Sequence, residues 1–476
     1  MDNFLSEAVR VRPSARQLAW QQMEFYAFVH FGMNTFTNRE WGTGTENPKL
    51  FNPTEFDPNQ WVAACKSAGM TGLILTCKHH DGFCLWPSAL TDHCVRNSGW
   101  KNGTGDIVRE VADACREGGI KFGVYVSPWD RHETSYGDSP TYNRFFVGQL
   151  EELLTSYGRV FCVWFDGACG EGPNGSRQVY DWDTYYATIR RLQPDAVISV
   201  CGPDARWCGN EAGRCRKNEW SVVPALLRDV EKVAEKSQKV DDGQFSRRVT
   251  SADEDLGSRD AIRNAGPLVW YPAEVNTSIR PGWFYHSEDD QRVRSLTELL
   301  EIYYQSVGGN SNFLLGIPPD VRGRFRESDT SRLAELGVAL RAALGRNLAA
   351  SAMVSATESL DEAHQPCNVL SSNSDIFWRP YDGTERASIT LQFTEEQVVD
   401  KVILMEYIAL GQRIESFTLA REENGLWTIF FAGEVVGYKR VCRFEPIRAS
   451  SLRIDVNASR GFPTLALVGA YRTESC

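Results

Sequence analysis

RVFCVWFDG (residues 159–167) and GLILTCK (72–78) are near-continuous apolar runs too short for buried helices, and both stop abruptly at charged or polar residues. Strands covered on both faces read this way, because neither face meets water. The same grammar recurs in YAFVHFG (26–32), KFGVYVS (121–127), AVISVCG (196–202), PLVWYPAEV (267–275) and SNFLLGIPP (311–319), with NEWSVV (218–223) as a weaker instance. Amphipathic segments lie between them. In DPNQWVAACKSAG (57–69), Asp57 suits the N-cap and Pro58 the first helical position. Trp61, Cys65 and Ala68 form the apolar stripe, and Gly69 can end the helix. GDIVREVADACREGG (105–119) repeats the plan with Ile107, Val108, Val111 and Cys115. Eight strands alternating with helices predict a (β/α)8 barrel. A doubly wound open sheet is the alternative, weakened because no glycine-rich nucleotide fingerprint follows the first strand.

Beyond about residue 345 the period changes. ASITLQF (387–393) sets Ile389, Leu391 and Phe393 on one face, SLRIDVN (451–457) does the same with Leu452, Ile454 and Val456, and SFTLARE (416–422) with Phe417 and Leu419. Alternation with polar turns predicts a β-sandwich. The expected division is therefore a barrel over residues 1–345 and a sandwich over 346–476. The charged stretch from about Val223 to Gly266, with a helix expected from Pro224 to Lys239, reads as an insertion.

Composition narrows the function. A net charge of −11 argues against nucleic acid and anionic membranes as partners, and no apolar run is long enough to span a bilayer. Fourteen tryptophans suit a protein that handles sugars, whose apolar faces stack on aromatic rings. The 13 cysteines are odd in number, lack metal-type pairs and fall partly inside apolar strands (Cys77, Cys162, Cys201). The first residues lack the apolar core of a secretory signal. Both features favour the cytoplasm; a removed leader would instead make the protein secreted.

Barrel chemistry collects where strands end. Those ends carry His30; His79 and His80; Trp129, Asp130 and His132; Trp164 and Asp166; Arg206 and Glu211; and Glu274. Singly, each has a plain structural reading, such as a helix cap for Asp166 or a solvated turn for Glu211. Together, two carboxylates with histidines and tryptophans suit glycoside hydrolysis, in which one acid attacks and the other protonates the leaving oxygen. Metal-assisted hydrolysis through His30, His79 and His80 is the competing chemistry, but no H-x-H or H-E-x-x-H spacing occurs.

VHFGMNTFTNREWGTG (29–44), ILTCKHHDGFCLWPS (74–88), GVYVSPWDRHE (123–133), VWFDGA (163–168), GPDARWCGNEAG (202–213) and EVNTSIRPGWFYH (274–286) resemble, in order, the α-L-fucosidases of glycoside hydrolase family 29. More narrowly, they resemble the subfamily selective for α-1,3 and α-1,4 linkages. The C-terminal region is similar to discoidin-like carbohydrate-binding sandwiches. The resemblance implies Asp166 as nucleophile and Glu211 as acid/base; Glu274 is the competing acid because it ends an apparent strand. It implies a fucose pocket lined by His30, Glu40, His79, His80, Trp164, Trp283 and Arg206, with Trp129, His132 and Glu133 nearer the leaving sugars. The implied substrates are fucosylated oligosaccharides of Lewis type, cleaved with retention and without metal or organic cofactor. A non-catalytic fucose-binding protein and a glycosidase for another sugar are the rival readings.

Overall fold

The computed structural model describes residues 3–231, 255–373 and 375–474. Eight parallel strands form the barrel: β1 (Phe25–Val29), β2 (Gly72–Lys78), β3 (Lys121–Val126), β4 (Cys162–Phe165), β5 (Val197–Val200), β6 (Arg206–Trp207), β9 (Ala273–Ser278) and β10 (Ser311–Gly316). They pair in the order β5-β4-β3-β2-β1-β10-β9-β6, and a single parallel bridge between Ser199 and Ala205 joins the two ends. The apolar runs are buried almost throughout, as two-sided cover requires.

The expected helices form for the expected reasons. The Asp57 side chain accepts from Gln60 N at the start of Pro58–Ser67. Asp106 caps Ile107–Gly118 through Arg109 N, and Gly119 ends that helix in the left-handed region at φ 72°.

Three expectations are corrected. Residues 218–223 supply no barrel strand: β7 (Val222–Pro224) pairs antiparallel with β8 (Leu268–Trp270) in a separate two-stranded sheet. The sixth barrel strand is the two-residue β6, which follows β5 after a sharp reversal with no helix between them. The reversal bends at Val200, a β-branched residue held at φ 65°, a conformation that costs on the order of 1–2 kcal/mol. The run 267–275 splits between β8 and β9, so Glu274 stands second in its strand, deep in the barrel, rather than at its exit. Of the helix expected over 224–239, residues Ala225–Arg228 form a 3-10 turn; the part from residue 232 onward lies outside the described residues.

The C-terminal strands are β11 (Met353–Ala356), β12 (Ala387–Met405), β13 (Ile414–Glu423), β14 (Leu426–Glu434), β15 (Arg440–Ser459) and β16 (Leu467–Tyr471), all antiparallel. β12 and β15 pair in three blocks separated by two irregularities, which bend the long ribbon and let it serve both layers of the sandwich. Ile389, Leu391, Phe417, Leu419, Leu452, Ile454 and Val456 point into a separate core around Trp378, as their alternation predicted. Among the described residues the cysteines are free thiols, mostly buried, and no helix is long and apolar enough to cross a membrane.

Candidate active site

A pocket opens at the C-terminal rim of the barrel. It is lined by His30, Glu40, His79, His80, Trp164, Asp166, Glu211 and Trp283, all expected, and also by Phe28, Trp41, Tyr125, Val200, Trp207 and Asn276. The strands place these groups. His30 follows β1, His79 and His80 follow β2, and Asp166 follows β4, while Tyr125 and Trp164 point inward from β3 and β4.

Asp166 is held rigidly. Its Oδ1 accepts from Ala168 N at 2.7 Å and its Oδ2 from the Tyr125 hydroxyl at 2.9 Å. Burial raises its pKa above the ordinary carboxylate value, and the hydrogen bonds from Ala168, Tyr125 and Gly167 counter part of that rise. Glu211 is pushed further, to about 8, first by burial and then by the negative charge of Asp166. The Trp283 indole donates to Glu211 Oε2 at 3.3 Å and offsets some of the shift. One acid is thus set to be protonated at neutral pH beside another that ionises more readily, the separation that acid–nucleophile pairs require.

Burial holds His30, His79 and His80 toward the neutral form, and drives His80 to about 3 with help from the positive charges of Arg131 and Lys78. Their tautomers follow from the partners. The Ser127 hydroxyl donates to Trp129 O at 2.7 Å, so at 2.7 Å it must accept from His80 Nδ1. His80 Nε2 therefore carries a lone pair, 3.9 Å from Asp166 Oδ2. Asn34 Nδ2 donates to Glu40 O at 2.9 Å and to His79 Nδ1 at 3.2 Å, leaving the proton on His79 Nε2. A donor and an acceptor stand side by side, suited to neighbouring sugar hydroxyls. His79, His80 and Asp166 also lie close enough to consider a cation, with ligand atoms within 4.8 Å of one another. A protonated His79 Nε2 offers that cation no lone pair, so the donor set fits hydroxyls better.

Glu40 acts through the turn it grips. Its carboxylate accepts from Trp283 N at 2.9 Å, Phe284 N at 3.0 Å and His286 Nε2 at 2.8 Å. This holds Trp283 against His30, with ring centroids 5.1 Å apart and planes 28° apart. The apolar wall of Phe28, Trp164 and Trp283 suits a methyl-bearing sugar face.

Five expected residues lie outside the pocket. Arg206 is buried away from it, donating to Tyr271 O, Trp220 O and the Glu219 carboxylate. The reading of Arg206 as a pocket residue is corrected accordingly: its guanidinium is committed to the neck of the loop that follows β6. Trp129 stands one layer out, packed on His80 and Trp41. His132 bonds Gly44 O through Nδ1 at 2.6 Å and stacks on His93. Glu133 accepts from Ser135 N at 2.9 Å. Their shared loop is ordered by Asp130, which accepts from His132 N and Glu133 N and is paired with buried Lys78 at 2.8 Å. Glu274 lies beneath the pocket, accepting from Tyr26 Oη at 2.5 Å and Trp164 Nε1 at 2.7 Å. It supports the Trp164 ring and does not line the pocket.

The sequence profile of the α-L-fucosidase family matches residues 15–343. The chain belongs to the α-L-fucosidase family. It is 40% identical to α-L-fucosidase 1 of Arabidopsis thaliana over 96% of this chain and 87% of the relative. A Ruminococcus gnavus GH29 fucosidase solved in complex with fucose superposes with a TM-score of 0.85 at 30% identity, covering 98% of this chain and 96% of that one. A glycoside hydrolase 29 member from an unknown rumen bacterium gives 0.77 at 36% identity, over 98% of this chain and 78% of that one.

Within this fucosidase site, Gly282 has a steric role. A Cβ there would sit 2.3 Å from Glu40 Oε1, inside contact distance. Gly282→Ala is expected to shift Trp283 and lower kcat/KM on an aryl fucoside by about tenfold, roughly 1.4 kcal/mol of transition-state binding. Steady-state kinetics with inhibition by free L-fucose check it; unchanged values for both would remove Glu40 and its turn from substrate binding.

Proposed function

We propose that this chain is a retaining exo-acting α-L-fucosidase that releases terminal α-1,3- and α-1,4-linked fucose from Lewis-type glycans. The observation that carries the reading is the pair of acids in one pocket, Asp166 fixed by Tyr125 and Ala168, and Glu211 pushed up to about 8 beside it. In this mechanism Asp166 attacks the anomeric carbon while Glu211 gives its proton to the leaving oxygen. Esterification removes the charge of Asp166, one cause of the raised Glu211 pKa, so Glu211 becomes the stronger acid. Already ionised by that transfer, its carboxylate takes a proton from the water that cleaves the ester. The free thiols suit a reducing compartment. Proton NMR of the first-formed product tests retention: α-L-fucose should precede its mutarotated form, and initial β-L-fucose would sink it.

Linkage preference rests on the loop carrying Trp129, His132 and Glu133. In a Lewis trisaccharide, fucose and galactose occupy adjacent positions on one N-acetylglucosamine, so a group beyond the fucose pocket can bind the galactose. If those contacts tighten at the transition state, they raise the rate of the chemical step. Glu133→Ala is expected to lower kcat/KM on a Lewis trisaccharide by about tenfold and leave an aryl fucoside nearly unchanged. Comparison with a 2′-fucosylated disaccharide completes the test. Equal wild-type rates on all three substrates would defeat the linkage claim, and equal losses in the mutant would reduce Glu133 to its capping bond with Ser135.

A further inference from the structure

The loop from β6 to β7 carries Glu211, and its neck is tied shut. Arg216 reaches back to donate to Cys208 O at 2.8 Å. Glu219, fully buried, binds Arg206 from β6 and lies 3.7 Å from Arg216. Inside the neck, Asn210 Oδ1 accepts from Ala212 N at 3.1 Å and Arg214 N at 3.3 Å, while Asn210 Nδ2 donates to Arg214 O at 2.9 Å. Glu211 is therefore borne on a closed ring of hydrogen bonds.

That ring is fastened to the C-terminal sandwich. The side chain of Gln412, buried just before β13, accepts from Ser221 N through Oε1 at 2.6 Å, and its Nε2 faces Glu219 O at 3.4 Å. Arg440, at the start of β15, donates to Lys217 O at 3.0 Å, and Asn218 bonds Glu434 of β14. The Arg460 guanidinium covers the Trp220 ring at 4.0 Å. Asn310, between the helix Leu296–Ser306 and β10, donates to Glu219 O at 2.7 Å and accepts from Tyr438 N at 2.7 Å, bridging the two bodies at the same point. These contacts converge on the loop that carries Glu211, whereas Asp166 is held by Tyr125 of β3 and by its own following backbone.

We propose that the sandwich, through Gln412 above all, is a positioning element for the proton donor: it fixes the β6–β7 loop so that Glu211 reaches the leaving oxygen. The inference rests on the reading of Glu211 as acid/base. It predicts damage to protonation without damage to nucleophilic attack.

Gln412→Met keeps side-chain length and removes both hydrogen bonds. In the full chain, kcat/KM on a 2,4-dinitrophenyl fucoside, which leaves without a proton, should stay within about twofold of wild type, while an unactivated oligosaccharide should lose about tenfold. The basic limb of the pH profile should also move, because the charges around Glu211 change distance. Equal losses on both substrates, or no loss on either, would overturn the proposal. Should Gln412→Met fail to fold, Arg440→Met at the exposed end of the clamp is judged by the same ratio, with about threefold selectivity expected. Glu211→Ala is run beside them. If it lacks leaving-group selectivity, the acid/base reading itself falls; if it is selective and the Gln412 and Arg440 variants are not, only the clamp falls.

Discussion

Asp166→Ala is expected to lower turnover by several orders of magnitude while leaving the fold intact, since losing a nucleophile forfeits a covalent step that water replaces poorly. The side chain accepts hydrogen bonds from Ala168, Gly167 and the Tyr125 hydroxyl, and takes no part in the backbone pairing of the barrel strands. Alanine leaves a gap facing the anomeric carbon. Azide should enter that gap, attack from the face the carboxylate used and give the inverted β-fucosyl azide, with partial recovery of rate. A mutant retaining more than about a tenth of wild-type kcat would move the nucleophile elsewhere. Circular dichroism and thermal melting separate lost chemistry from lost structure.

Glu211→Ala carries the second large effect. Its kcat/KM should fall about 10²–10⁴-fold on substrates with poor leaving groups and far less on dinitrophenyl fucoside, because only the former need a proton. The pH dependence has a definite sign. Glu211 must be protonated in the free enzyme, and its pKa stands at about 8, so kcat/KM should fall as pH rises through that region. Asp166 must be ionised, so activity should also fall on the acid side, at a pH above the ordinary aspartate value because burial raises it. In Glu211→Ala the basic limb should vanish. Glu274→Gln tests the competing assignment: it should weaken support for Trp164 and show no leaving-group dependence. A steeper dependence in that mutant than in Glu211→Ala would transfer the role to Glu274.

Seven of the eight barrel strands overlap the apolar runs, since a strand covered on both faces has to be apolar along most of its length. β6 was illegible for a physical reason. Two residues, Arg206 and Trp207, carry no periodicity, and their place is set by backbone bonds to neighbours distant in sequence, Arg206 N to Pro272 O and Cys208 N to Glu274 O. The more apolar stretch at 218–223 therefore drew the assignment. The same error displaced Glu274, because a run that serves two sheets looks like one strand. Within the pocket, the residues at strand ends were readable from position. Tyr125 and Asn276 had a usable signal, as polar groups inside buried strands that must find partners. Trp41 and Trp207 had none beyond their neighbours. Arg206 misled because an arginine near a sugar pocket and one tying off a loop look alike until their acceptors are known.

The missing helix between β5 and β6 has a consequence for how such an enzyme can diversify. The nucleophile belongs to the inner barrel, where Asp166 leans on Tyr125 of β3 and on its own following turn. The proton donor belongs to a long excursion after β6 that is footed partly in the C-terminal sandwich, through Gln412 and Arg440. Inheritance can therefore treat the two carboxyls separately. Substitutions along β13, β14 or β15 can retune how a departing sugar is received while the chemistry at the anomeric carbon stays untouched, and lineages sharing one attack step can part company over what they release it from.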